Sequence, residues 1–351
     1  MVRAAETTQL SGGRTTATSR PRLDLAAAVG LAVAVVLAGL AFVLLSQDVP
    51  GRSVAAPAYP SRLIRQMPPP SDDQSSPAGW NQPSDVVVVQ GRWFVLDTGN
   101  NRVLEVDRDG ATLQVLDQQR DARLALSGPM AIASDGQYLY VANSGAGDVL
   151  VLTPDAVVIR TLAVGHADVD PLPPRPIGVA VANDGGVVVS DAANHRVMRY
   201  DREGRLAWTA GSGRRASGKE GFNTPAGVAL DSAGNVYVVD ILNGRVVKLA
   251  PDGTFLTQYG RLGNTGGTLA RPKDVAIDAA GNVYVSDGLL AAVQVFGPEG
   301  GFRGFIGLSE PDDRSSGALF RAPAGLTIDG SSLYVVDRLG SVSVLELPGG
   351  E

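Results

Sequence analysis

Six side chains recur at one register in this chain and carry much of its potential chemistry: Asp97, Asn143, Asp191, Asp240, Asp287 and Asp337. Each stands 14 or 15 residues after a proline, at Pro83, Pro129, Pro176, Pro225, Pro272 and Pro323. Three are followed five residues later by arginine, at Arg102, Arg196 and Arg245. A carboxylate closing an apolar run accepts backbone N–H bonds in its turn, and a guanidinium fork pairs with it. This spacing points to a structural pairing repeated from unit to unit.

A second column stands two residues after each proline: Asp85, Ala131, Gly178, Gly227, Asp274 and Gly325. Two carboxylates among small residues would suit Ca²⁺, a hard cation that takes oxygen ligands, with backbone carbonyls completing the shell. In the alternative reading they cap turns or sit solvated at the mouth of a channel. Arg175, Arg271 and Lys273 flank this column, and with Asp85 and Asp274 they form the candidate binding set.

Other chemistry is sparse. The chain has no cysteine, which removes disulfides, thiolate catalysis and cysteine-ligated metal sites. Its two histidines, His166 and His195, lie in unrelated positions, so a histidine-based zinc site is not expected. The stretch Ser212 to Lys219 is basic and glycine-rich but lacks the strand-to-helix setting of a phosphate loop. No organic cofactor is implied.

The elements that hold these residues are short and repeated. The prolines recur every 46 to 51 residues, and each opens an alternating apolar run, a turn such as Ala233-Gly234-Asn235, and a second run ending at the closing acid. A third run follows, as in Arg245 to Leu249, and a turn such as Pro251-Asp252-Gly253 leads to a fourth, Thr254 to Tyr259. Four antiparallel strands per unit make a propeller blade. Blades therefore begin at 83, 129, 176, 225, 272 and 323, in a domain spanning 83–351. The 43 glycines and 22 prolines suit an architecture of many turns.

The segments VLDTGNNRVLEVDRDG, VVSDAANHRVMRYDREG and YVVDILNGRVVKLAPDG resemble the core motif of the NHL repeat. The resemblance implies an all-β, six-bladed β-propeller. Blade two departs from the motif with Asn143 and Gly147-Asp148, and blade five with Ala291-Ala292, which weakens any function needing six equivalent positions. Relatives of this kind include zinc-dependent lyases and lactonases as well as binding modules, and some bind RNA through a basic face. The formal net charge of −6 argues against nucleic acid.

Blade six ends after Ser341 to Leu347 without room for a fourth strand. An open edge is a liability, and the island Arg62 to Met67 is expected to close it. That island interrupts a Pro/Ser-rich linker over 46–82.

Before the linker, Leu25 to Leu45 is 21 residues without a charge or proline, enough as a helix to span roughly 30 Å of hydrocarbon. A short basic head, 1–24, precedes it and is expected in the cytoplasm. The whole reads as a single-pass protein of a bacterial plasma membrane, with the propeller extracytoplasmic. It is expected to bind a protein, peptide or glycan, or to act as a scaffold or sensor. The alternative is a metal-dependent lyase or lactonase-like hydrolase using the central channel.

Overall fold

The computed structural model describes residues 57–67, 79–165, 170–308 and 319–348. Within them the chain forms six four-stranded antiparallel sheets, the blades of a propeller. The segment 25–45 and His166 lie outside the described residues, among which no helix is long and apolar enough to cross a membrane.

Five innermost strands open on the repeated proline: Pro129–Ser134, Pro176–Val181, Pro225–Leu230, Pro272–Ile277 and Pro323–Asp329. Blade one opens later, at Asp85–Val89. Proline has no N–H for the ladder and is tolerated at a strand's first residue or at a bulge. In all five strands the register shifts directly after it. Such irregularities re-aim side chains, and here the residues two places on line the central channel.

Second strands such as Val236–Asp240 and Val283–Asp287 are buried along their whole length. A blade packs both faces against its neighbours, so its middle strands read as continuous apolar runs. Outermost strands such as Phe255–Tyr259 are largely exposed. The core is accordingly divided among the gaps between adjacent blades, one apolar cluster in each.

Blade six is completed by Arg62–Met67, which lies antiparallel to Ser341–Glu346 with Arg62 opposite Glu346 and Met67 opposite Val342. Met67 is fully buried in the seam between blades six and one, beside Trp80, Trp93 and Tyr334. Burying such a side chain contributes about 1.5–3 kcal/mol. The residues just before this strand strap blade five. Phe305 N–H donates to Pro57 O at 3.0 Å and Tyr59 N–H to Phe305 O at 2.7 Å, while the Tyr59 ring stands edge-on to Tyr284 at 5.9 Å. Much of the described part of the 46–82 stretch therefore packs as propeller and not as an extended linker.

Candidate functional site

The closing acids hold loops in place. Asp240 accepts Asn223 N–H at 2.7 Å, Asn243 Nδ2 at 2.7 Å and Arg245 Nε at 2.9 Å. Arg245 reaches on to the carbonyls of Gly218 and Gly221. Asp97 serves Asn81, Asn100 and Arg102 in the same way, and Asp191 serves Arg175, Asn194 and Arg196. Asp287 and Asp337 have no such arginine and accept backbone N–H groups, from Ala270, Arg271, Leu289 and Leu290 and from Arg321, Ala322 and Leu339 respectively. In blade two Asn143 accepts from Ser127 N–H and donates to Ala125 O. All six side chains are buried.

His195 belongs to the same framework. It adopts the left-handed backbone conformation, and its Nδ1 accepts Thr224 N–H at 3.0 Å. Burial, aided by the charge of Arg215, holds its pKa below the usual value, which keeps Nδ1 available as an acceptor.

All six residues of the second column line one of two cavities on the propeller axis. The larger, about 310 Å³, lies towards the hairpin ends of the innermost strands and is walled by Val87, Ile132, Val179, Val228, Val275 and Leu326, among others. The smaller, about 90 Å³, lies towards the strand starts, under the loops that the closing acids hold. Asp85 and Asp274 border both, so they form the waist of the channel.

These two carboxyls are neither solvated at the mouth nor capping turns. Asp85 accepts its own Val86 N–H and, across the blade boundary, Ile132 N–H, each at 2.8 Å. Asp274 accepts Leu326 N–H of blade six at 2.8 Å. On the other side each packs on the glycine of the preceding blade, Asp85 against Gly325 and Asp274 against Gly227. Each Asp thus links three successive blades, and the small residues of the column make the room.

Loss of hydration raises both pKa values. Asp85 is held well above the usual carboxylate range by burial and then by the charge of Asp274, and burial pushes Asp274 up to about 7. The backbone already takes up part of the ligand capacity of this pair. Asp85 accepts N–H groups on both oxygens, and Asp274 accepts those of Leu326 and Val275; among the described residues no third histidine, aspartate or glutamate side chain joins them.

The mouth of the smaller cavity is cationic. Lys273 and Arg338 line it, and Arg271 is close enough for its charge to act on both. Burial, then the charges of Arg271 and Arg338, push Lys273 down to about 8. Arg338 donates to Gln82 Oε1 at 2.8 Å. Among the described residues none of the three forms an ion pair, whereas Arg92, Arg196 and Arg245 all do. Arg175, expected at this mouth, is exposed in blade three and lines neither cavity; its backbone N–H is held by Asp191. Arg338 carries no repeat signal in the sequence: it stands directly after a closing acid, where the equivalent residue of blade four is Ile241, which lines the same cavity.

Residues 174–200 match the NHL repeat model. No curated protein matches the chain. Among solved structures, it is similar to virginiamycin B lyase from Staphylococcus aureus at 13% identity and a TM-score of 0.54, covering 81% of this chain and 98% of that one. It is also similar to a gluconolactonase from Xanthomonas campestris at 20% identity and a TM-score of 0.55, covering 86% and 99%. A protein of unknown function from Bacteroides thetaiotaomicron shares 14% identity at a TM-score of 0.59, covering 83% and 73%. At these identities the likeness is one of fold.

Proposed function

We propose that this six-bladed propeller, with its NHL repeat at 174–200, is a binding module held in a bacterial plasma membrane by residues 25–45. Its N-terminus would lie in the cytoplasm and its propeller outside, presenting the channel mouth to a partner. The observation carrying this reading is the cluster of Arg271, Lys273 and Arg338, unpaired among the described residues in a chain of net charge −6. Lys273 and Arg338 are half-buried and Arg271 is exposed, and gathering like charges there is unfavourable unless an anion compensates them, which Asp287 does for Lys273 only in part. The test is capture of partners from membrane extracts by the full chain and by a Lys273→Glu/Arg338→Glu variant. A partner held by the wild type and lost by the variant supports the reading, and equal capture by both removes the mouth as its site. Protease accessibility of the propeller in intact spheroplasts tests the orientation.

A second reading is an enzyme acting in the channel. It is favoured by Asp274, a carboxyl at about 7 that faces the 310 Å³ cavity and could move a proton near neutral pH. The shared fold with a lyase and a gluconolactonase is compatible with this. Hydrolysis of lactones or cyclic esters that is abolished in Asp274→Asn would favour the enzyme.

A further inference from the structure

The mouth face is not the same all round. Two residues after the closing acid, blades four to six carry Leu242, Leu289 and Leu339, exposed to 54%, 40% and 59%. Blades one to three carry Gly99, Gly145 and Ala193 there. In blades one and two the incoming connection lies directly on the position. A Cβ on Gly99 would meet Asn81 Cγ at 2.5 Å, and one on Gly145 would meet Ser127 Oγ at 2.5 Å. Projecting apolar side chains at this register are therefore confined to one side.

That side also holds the cations. Arg271 and Lys273 come from blade five and Arg338 from blade six, and Lys273 and Arg338 open onto the 90 Å³ cavity. A water needs about 10–15 Å³ of such volume, so the cavity admits several waters or a carboxylate on a short stem. Singly scattered leucines on a surface need no explanation, but these three stand at equivalent positions of three successive blades, two of which also carry the cations.

We infer that this half-face docks an acidic peptide segment, one carboxylate entering between Lys273 and Arg338 while neighbouring apolar side chains lie on Leu242, Leu289 and Leu339. The inference rests on the binding reading above and adds the class of its occupant. Desolvated cations make strong charge-assisted bonds to a carboxylate. The leucines supply area that a free anion would not use, so affinity should depend on both kinds of contact.

The probe is a fluorescent hexapeptide of alternating leucine and glutamate, titrated by anisotropy against the full chain in detergent. Binding is expected to weaken at least tenfold in Lys273→Met/Arg338→Met and several-fold in Leu289→Ser/Leu339→Ser. A glutamine-for-glutamate peptide should fail to bind. Circular dichroism and melting of the variants confirm that they are folded. Equal affinity for wild type and the cation variant overturns the inference, as does loss confined to the cation variant with no effect of the leucine pair. Phosphatidylglycerol vesicles that bind with the same dependence on all four residues would make the face a lipid-docking surface and overturn it too. If the peptide does not bind at all, the inference falls, while partner capture by the wild type but not by Lys273→Glu/Arg338→Glu still decides the binding reading separately.

Discussion

Asp274 of blade five accepts the backbone N–H of Leu326 in blade six, at 2.8 Å, while packing on Gly227 of blade four. One carboxyl group therefore ties three blades, and does so at the channel waist with no cation paired to it among the described residues.

Its raised pKa has a definite sign in stability. With a folded value of about 7 against an unfolded value near 3.8, the native state holds a proton that the unfolded chain releases between these limits. Stability from this group is full below the unfolded pKa and is lost as pH rises through about 7. The wild type should therefore lose roughly 1–3 kcal/mol between pH 5 and pH 8 beyond any loss in Asp274→Asn, which cannot titrate. Urea unfolding at the two pH values measures the difference, and parallel curves for the two proteins would contradict the assignment.

The glycines beside the carboxyls give a steric prediction. A Cβ on Gly227 would stand 2.6 Å from Asp274 Cα, and one on Gly325 would stand 2.6 Å from Asp85 Cα. Neither has a positive φ, so the cost of alanine is crowding alone, about 1–3 kcal/mol for each. Gly218 has nothing within 4 Å of its Cβ position, so Gly218→Ala should leave the melting temperature within error.

The propeller was legible because its repeat is written in proline and acid at fixed spacing, a signal that survives the loss of Asp in blade two. The channel column was legible for the same reason, since register alone places Asp85 and Asp274 on the axis. Their state was not: whether a carboxyl is solvated or clasped depends on Ile132 and Leu326, which belong to neighbouring blades 47 and 52 residues away. Arg175 misled because a cation flanking the column need not face the axis. The leucine arc stayed hidden because exposure at Leu242, Leu289 and Leu339 is set by how each connection passes over its blade.

Asp240 and Arg245 make a buried pair, and removing one member alone should be costly. Asp240→Ala leaves the Arg245 guanidinium, whose side chain is only 6% exposed, without its carboxylate, and is expected to destabilise by about 3–5 kcal/mol. Adding Arg245→Met should recover a large part of that loss. Blade two already folds with Asn143 and Asp148 at the equivalent places, so the pair is not required for a blade to form. Denaturant melts of both single variants and the double variant close the cycle. Equal stability of Asp240→Ala and the double variant would mean that the carboxylate matters for its loop N–H bonds only.

The last prediction concerns closure. Arg62–Met67 is the only strand of blade six that arrives from the other end of the propeller sequence, and it carries Met67 into the seam with blade one. Replacing 62–67 by a glycine–serine stretch of equal length keeps the chain connected but removes that burial and leaves Ser341–Glu346 as an open edge. Loss of the buried methionine and the ladder should cost several kcal/mol, and at about 2–4 °C per kcal/mol the melting temperature should fall by roughly 5–15 °C. The open edge should also promote association, visible as concentration-dependent light scattering below the melting point. Met67→Ser alone should produce a smaller fall without the scattering, because the ladder hydrogen bonds persist. An unchanged melt in the replaced protein would mean that blade six is stable with three strands and that the seam is held by Trp80, Trp93 and Tyr334 without Met67.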